Sequence, residues 1–426
     1  MMVNKLSRLF FQLPSSQNFV LRIIDDLGER RSSIVLLPID LHPDDLWQVM
    51  WDDLCRRDFS FTEVSLPDLQ GNQSPASVLG DKIGVRWSST EARTVSCLAN
   101  YSSLPDIIRL RGFEELSMEA RKRWIEFILQ WAQSSKEIMD RGGTPASLCL
   151  LCPAWSLDNL SPEPSLYLSI RNWWGIPSAL ELKLMCRLTD ETSLESEWRE
   201  NILPSLSGND LLLSQNLWNR VFEGPEQLIN YLTEFAKKQR GWSAENLKTW
   251  GVESFQGSWG TRFNNFKLDY KHMQLWRKGI LSYTTEYGVE LHSAAIAILG
   301  WEDEIHHRLW RAQTPLIMPL LDNIRLEMCR KMTQRYGRDW PVRFEKPETQ
   351  REYEDLLENP LACQWGYLEH LINNCNAFRK ERRWLHLIQL GRFIRNELAH
   401  YRAVDYKSYL AFNNELSRVK DGFFKV

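Results

Sequence analysis

The chain has 426 residues, a formal net charge of −3, 43% apolar residues and 25% charged residues. This length predicts two or three domains. The charge excludes nucleic-acid binding through a uniformly basic surface, so any such contact requires a local basic patch. The chain has no run of 18 apolar residues, residues 1–5 do not begin a secretory signal, and the eight cysteines follow no regular spacing. We therefore expect a cytoplasmic protein without a membrane partner.

The first part of the chain, residues 1–190, alternates between strand-like and helix-like segments. Short apolar runs at residues 34–38, 107–110 and 147–153 are typical of buried strands. Helical patterns follow the first two runs, and Ser117 precedes the second helix as an N-cap. This alternation predicts an α/β domain, with a parallel sheet covered by helices.

The first of these helices has an apolar face defined by spacings of three and four residues. The face consists of Leu46, Trp47, Met50, Trp51 and Leu54. We expect all five side chains to lie in the core rather than to form a platform for nucleic acid.

The rest of the chain is predicted to be mostly helical. Residues 191–300 form a helical middle domain or linker without a recognisable chemical motif. Residues 301–426 form an all-helical domain, with helices over about 362–378 and 381–402 and a short last helix from Tyr406.

The helix over 381–402 has a heptad-like apolar stripe. The stripe comprises Trp384, Leu387, Gly391, Ile394, Leu398 and Tyr401. At about 100° per residue, Arg395, Asn396 and His400 point away from it. Asn396 and His400 are four residues apart and can touch, whereas Arg395 and His400 do not share a face. A second copy, packed across a two-fold axis, would bring two Arg and two His side chains together.

Positive charge is concentrated around this helix. Between residues 379 and 402 the chain has seven Lys or Arg residues, against Glu381 and Glu397. Besides Arg395, the predicted phosphate-binding residues are Arg379, Lys380, Arg382, Arg383, Arg392 and Arg402. His moves protons near neutral pH and Arg stabilises phosphate charge, so the pattern favours cleavage of RNA without a metal or cofactor.

The segment Arg395, Asn396 and His400 resembles the signature of the HEPN superfamily, in which Arg is followed by four to six residues and then His. The resemblance covers about the last 110–125 residues and implies a dimeric four-helix domain. It also implies catalytic roles for Arg395 and His400, a role for Asn396 in orienting RNA, and attack of the RNA 2′-hydroxyl that leaves a cyclic phosphate. Other members of the superfamily bind without cutting.

The three strand-like runs of residues 1–190 resemble the skeleton of a P-loop ATPase of the AAA+/STAND kind. Glu114 and Glu115 would occupy the position of the Walker B acid. The chain has no Gly-x4-Gly-Lys-Ser/Thr motif, and residues 38–43 after the first run contain neither Gly nor Lys. The resemblance therefore implies a degenerate domain that signals or docks without hydrolysing a nucleotide.

We assign no metal-binding or catalytic role to two weaker patterns. Cys149 and Cys152 lie on a predicted strand, where residues three apart face opposite sides, so we expect buried thiols. The pairs Glu302–His306 and Asp303–His307 are explained by a solvated helix face.

These patterns lead to two hypotheses. The first is an endoribonuclease effector of a bacterial antiviral defence system, which cuts RNA through a HEPN homodimer under the control of the NTPase-like domain. The alternative is a non-catalytic scaffold or adaptor that dimerises or recruits an active ATPase.

Overall fold

The computed structural model of the protein describes residues 9–39, 41–88, 92–158, 160–173, 178–189, 193–255, 270–284 and 288–423. Residues 1–5 and Asp40, discussed above, lie outside these ranges. Within them, no helix combines the length and the apolar character needed to cross a membrane.

The described segments contain mainly helices and a smaller number of strands. The strands are β1 Ser32–Leu37, β2 Phe61–Ser65, β3 Ile107–Arg111, β4 Ser147–Pro153, β5 Leu168–Asn172, β6 Leu281–Thr284 and β7 Gly288–Leu291. The first nine α-helices are α1 Pro14–Gly28, α2 Pro43–Arg56, α3 Pro75–Lys82, α4 Val95–Ala99, α5 Met118–Asp140, α6 Ala179–Thr189, α7 Leu194–Ser207, α8 Leu211–Leu217 and α9 Pro225–Arg240. The others are α10 Ala244–Thr249, α11 Tyr270–Arg277, α12 Ser293–Ile298, α13 Glu302–Tyr336, α14 Trp340–Arg343, α15 Gln350–Glu358, α16 Trp365–Asn374, α17 Leu385–Ala399 and α18 Tyr406–Phe423.

The chain folds into two compact units. Unit 1 comprises Met1–Met185, Gly208–Gln215 and Glu245–His292. Unit 2 comprises Cys186–Ser207, Asn216–Ala244 and Ser293–Val426. The division of the chain at residues 190 and 300 stays a prediction.

Unit 1 contains a five-stranded parallel sheet in the order β2-β3-β4-β1-β5. Every residue of β1 is buried, and so is β4 up to Cys152, which explains why both strands have uninterrupted apolar sequences. The prediction of a mixed α/β chain with a parallel sheet is confirmed. The edge strands β2 and β5 were not predicted, and neither was the antiparallel β6–β7 pair.

Helices α2 and α5 of unit 1 each begin at a side-chain N-cap. The Nδ1 atom of His42 accepts a 3.2 Å hydrogen bond from the Asp44 N–H, and Pro43 occupies the first turn of α2. The Ser117 hydroxyl accepts a 3.3 Å hydrogen bond from the Ala120 N–H, so the predicted N-cap of α5 is confirmed.

The predicted core face of α2 is wrong at one position. Leu46, Trp47, Met50 and Leu54 are buried, whereas Trp51 is 41% exposed. The Trp51 ring packs against Phe61 of β2, with the ring centroids 4.2 Å apart. Because the described sheet ends at β2, no further strand covers Trp51.

Unit 2 is helical in its described part. Its longest helix, α13, continues through Pro315 and Pro319, whose rings are exposed. The helices α7 and α17 pack against α13, and α17 also packs against α16 and α18. The core of this bundle includes Trp340, Trp365 and Trp384.

Candidate functional site

Helix α17 presents the predicted residues Arg395 and Asn396, and its opposite face is buried. Leu387, Ile394 and Leu398 are almost fully buried. Gly391 lies against the ring of Trp365, since a Cβ atom at this position would be 2.9 Å from that ring. This close approach fixes which side of the helix faces the bundle.

The Arg395 side chain lies on the other side of α17 and is half-buried. Its guanidinium Nη1 donates a 3.3 Å hydrogen bond to Oδ1 of Asn396. No Asp or Glu side chain of the described residues forms an ion pair with Arg395. The guanidinium therefore retains donors for an anionic ligand.

His400 follows the last residue of α17 as its C-cap and is exposed. Its peptide N–H bonds to the carbonyl oxygens of Asn396 and Glu397, each at 3.1 Å. No hydrogen bond joins the side chains of Asn396 and His400 in the structure as described. The helix predicted to extend to residue 402 thus ends earlier, at Ala399, and Asn396 contacts Arg395 instead.

The residues on both sides of His400 are held by α13. The indole N–H of Trp310 donates to the carbonyl oxygen of Leu398, at 2.6 Å. The Gln313 amide makes two 2.7 Å hydrogen bonds to the backbone of Val404. These contacts connect the chain on both sides of His400 to one helix, α13.

Tyr401 was expected in the buried stripe of this helix, and this expectation is wrong. Its side chain is 67% exposed because its backbone has left the helix, with φ at +60°. The ring lies 4.8 Å from that of Trp310, and His307 stacks on the same indole at 5.4 Å.

Two of the predicted phosphate-binding residues donate hydrogen bonds to acidic partners, and a third, Arg383, lies 3.9 Å from the Glu381 carboxylate. Arg392 donates to Glu369 at 2.8 Å. Arg402 forms a bidentate pair with Glu397, with distances of 2.8 and 2.7 Å. The hydrogen bonds from Arg402 lower the pKa of Glu397 below its ordinary value, in spite of the opposing effect of burial. Both cations are therefore partly neutralised.

The remaining predicted cations lie in the 3-10 helix Asn376–Trp384, and all four are exposed. They are Arg379, Lys380, Arg382 and Arg383. Arg382 donates to the Asn373 carbonyl at 2.9 Å. Arg379 and Lys380 have no ion-pair partner among the described residues, so they contribute most of the uncompensated charge of this turn.

A buried carboxylate holds this basic turn, and sequence reasoning missed it. Glu381 is fully buried, and its Oε1 accepts hydrogen bonds from Arg335 at 2.7 Å and from the Tyr336 hydroxyl at 2.9 Å. Burial and the contact with Glu381 raise the pKa of Tyr336. The only sequence signal was a single acid within a run of cations.

The three strand-like runs predicted in residues 1–190 form strands β1, β3 and β4, and the resemblance to an NTPase stays a prediction. The sequence after β1 continues into the cap of α2 without a glycine-rich loop. Glu114 and Glu115 lie in the 3-10 turn after β3, and the Glu114 carbonyl accepts a 2.7 Å hydrogen bond from Arg121. The assignment of a Walker B role to this pair stays a prediction.

The thiols of Cys149 and Cys152 are fully buried in β4, as expected. Burial raises the pKa of each to about 12, so both remain protonated at neutral pH. No group of three or more His, Cys, Asp or Glu side chains within the described ranges is arranged to hold a metal ion.

Comparison of the chain with protein-family models, with curated proteins and with solved structures finds no match.

Proposed function

We propose that unit 2 cleaves RNA without a metal ion, as a homodimer whose site combines Arg395 and His400. The main support for this proposal comes from the contacts of the Arg395 guanidinium. Its guanidinium has no acidic partner in the described residues and bonds only to the neutral amide of Asn396. An Arg of this kind, five residues before an exposed His, resembles the HEPN pattern in chemistry as well as in spacing.

In this mechanism His400 accepts the proton of the RNA 2′-hydroxyl. The 2′-oxygen attacks the adjacent phosphorus, and the bond from phosphorus to the 5′-oxygen breaks. The leaving oxygen takes up a proton, so the products are a 2′,3′-cyclic phosphate and a 5′-hydroxyl. Arg395 stabilises the negative charge that develops on the phosphoryl oxygens.

The positions of the two residues on one helix support the proposal of a dimer. Five residues correspond to a rotation of about 140° and a rise of about 7.5 Å along the helix. A single copy therefore presents Arg395 and His400 in different directions. A two-fold axis beside α17 would place His400 of each copy near Arg395 of the other.

For unit 1 we propose a regulatory role without nucleotide hydrolysis, within a bacterial defence system. The parallel sheet and the missing glycine-rich loop support this role.

The test is incubation of the purified full-length protein with structured RNA in EDTA. We expect fragments with cyclic-phosphate ends, and loss of cleavage in Arg395→Ala and His400→Ala. The matched control is His386→Ala, which removes an exposed histidine of the same helix. Cleavage that survives both site substitutions would reject the site.

One observation favours the alternative of a non-catalytic scaffold. Arg392 and Arg402 are engaged by Glu369 and Glu397, which reduces the charge available for RNA. On this alternative no RNA is cut, yet Arg395→Ala disrupts dimerisation or partner capture. Sedimentation of the wild-type protein and this variant separates the two hypotheses.

A further inference from the structure

Strand β2 is an edge of the parallel sheet in unit 1, and its described residues pair only with β3. The ladder starts with a 3.0 Å bond from the Ile107 N–H to the Ser60 carbonyl and ends with a 2.8 Å bond from the Leu66 N–H to the Arg111 carbonyl. In a parallel pair, alternate residues of a strand bond to the same neighbour. The residues whose peptide groups face outward are therefore Phe61, Glu63 and Ser65. An edge with free peptide groups can accept another strand.

A cleft of about 470 Å³ lies beside this edge, between α2 and the strands β2 and β3. The bottom of the cleft consists of ion pairs among four charged side chains. Arg109 is 3% exposed and bonds to Glu63 at 3.1 Å and to Asp44. Arg111 bonds to the same two carboxylates, at 3.2 and 3.0 Å. Two cations and two anions neutralise each other, so this network is a polar floor without a net charge.

The Asp44 carboxylate of this network stays charged at neutral pH. Burial alone would raise the pKa of Asp44, but the hydrogen bond from Arg109 and the charges of Arg109 and Arg111 outweigh it and lower the pKa. Trp47 adds a 2.9 Å hydrogen bond from its indole N–H to Glu63, and the Arg109 guanidinium lies 4.9 Å from the Trp47 ring centroid.

The wall of the cleft that faces solvent has a different character. The Trp51 indole is 41% exposed and is held at 4.2 Å from Phe61 of β2. The Asp52 carboxylate lines the same cleft and has no ion-pair partner among the described residues. An exposed indole beside an unneutralised carboxylate attracts a cation, through the ring face and through charge.

We propose that β2 binds an extended peptide segment of a partner protein as an additional strand, with a Lys or Arg side chain of that segment in the cleft between Trp51 and Asp52. The outward peptide groups of Phe61, Glu63 and Ser65 supply main-chain hydrogen bonds, and the cleft supplies the selection for a basic side chain. This surface lies within unit 1 and does not depend on RNA cleavage by unit 2.

The experiment uses the full-length protein and synthetic peptides with alternating Thr and Val residues. One peptide has Arg at its centre, and a matched peptide has Glu there. Binding is measured by fluorescence anisotropy of labelled peptide. We expect the Arg peptide to bind and the Glu peptide to bind at least about tenfold more weakly. Equal binding of the two peptides would overturn the assignment of the cleft.

Two protein variants test the two parts of the site. Asp52→Asn should weaken the Arg peptide about threefold to tenfold and leave the Glu peptide no weaker. Ser65→Pro removes an outward N–H without removing a bond to β3, and should abolish binding, whereas Ser65→Ala should retain it.

A third test modifies the peptide and leaves the protein unchanged. Methylation of the peptide nitrogens that would face β2 should abolish binding, and methylation of the opposite set should not. If methylation of either set has the same effect, or if arginine amide alone binds as tightly as the peptide, the cleft binds a small cation and strand addition is wrong.

Discussion

The indole N–H of Trp310 donates a 2.6 Å hydrogen bond to the carbonyl oxygen of Leu398. This bond joins α13 to the last turn of α17, where the carbonyl groups lack partners within the helix. His400 lies two residues further on. The placement of the proposed catalytic imidazole therefore depends on Trp310, which lies 88 positions before Leu398 in the chain.

Trp310→Phe should retain an aromatic ring and lose this hydrogen bond. The Leu398 carbonyl also accepts a longer, 3.3 Å bond from the Tyr401 N–H, so the helix end should loosen without unfolding. We expect a loss of about 1 kcal/mol in the free energy of unfolding and faster amide exchange over residues 399–404. Trp51→Phe, which changes an exposed Trp of unit 1, is the control. Unchanged exchange over 399–404 would contradict the role of Trp310.

Gly391→Ala should destabilise unit 2, although alanine favours helices. The new Cβ would meet the Trp365 ring at 2.9 Å, so the buried ring or the helix itself must shift. The steric cost of about 1–3 kcal/mol exceeds the gain in helix propensity of about 1 kcal/mol.

Gly366→Ala on α16 is the matched control for this substitution. Its Cβ would lie 3.7 Å from the Arg392 side chain, which is ordinary contact, so we expect a stabilised protein. Urea unfolding of the two variants should give opposite signs. If both substitutions stabilise, the close packing of α17 on Trp365 is wrong.

The sequence predicted the central strands of unit 1 and missed its edges for one physical reason. Strands β1 and β4 are covered on both faces and contain continuous apolar residues. Strands β2 and β5 are half-covered, and they contain Glu63 and Arg171, which pair with charges far away in the sequence. Local composition does not reveal such partners.

The sequence predicted the directions in which the side chains of the candidate site point, but it did not predict their contacts. The 3.6-residue period placed Arg395 away from the buried stripe, as the structure has it. The end of the helix was not predictable, because Tyr401 adopts the left-handed conformation that glycine usually supplies. The pairing of Arg392 with Glu369 also depends on how α16 and α17 pack.

Acid should remove the contribution of Asp106 to the stability of unit 1. Burial alone would raise the pKa of Asp106, but hydrogen bonds from Ser60 and from Arg30 outweigh it and lower the pKa below the ordinary 3.8. A carboxyl with a lowered pKa in the folded protein stabilises fully above its unfolded value and progressively less as pH falls through its folded value. The contribution should therefore persist above about pH 4 and fade below it.

The measurement is urea unfolding of the wild-type protein and Asp106→Asn from pH 6 to pH 3. The difference in unfolding free energy should be constant at the upper end and shrink at the lower end. Subtraction of the two curves removes the effect of all other carboxyl groups. A difference that is independent of pH down to 3 would show that the charge of Asp106 is not what stabilises the start of β2 and β3.

Glu397→Gln should strengthen RNA binding if the surface of α17 contacts phosphate. The glutamine cannot neutralise Arg402, whose guanidinium then becomes available to a phosphate. We expect affinity to rise about threefold at low salt, and the slope of log K against log salt to steepen by about 0.7 to 1. Binding is measured with the His400→Ala background, so that cleavage does not intervene.

Glu415→Gln is the matched control for this substitution. It releases Arg418 from a similar bidentate pair within α18, a helix that contributes none of the predicted phosphate-binding residues. Its RNA affinity should remain that of the parent. Equal strengthening by both substitutions would mean that RNA responds to net charge alone. No strengthening by Glu397→Gln would remove Arg402 from the RNA-binding set and favour the scaffold, because a cation released beside a true phosphate site must increase affinity.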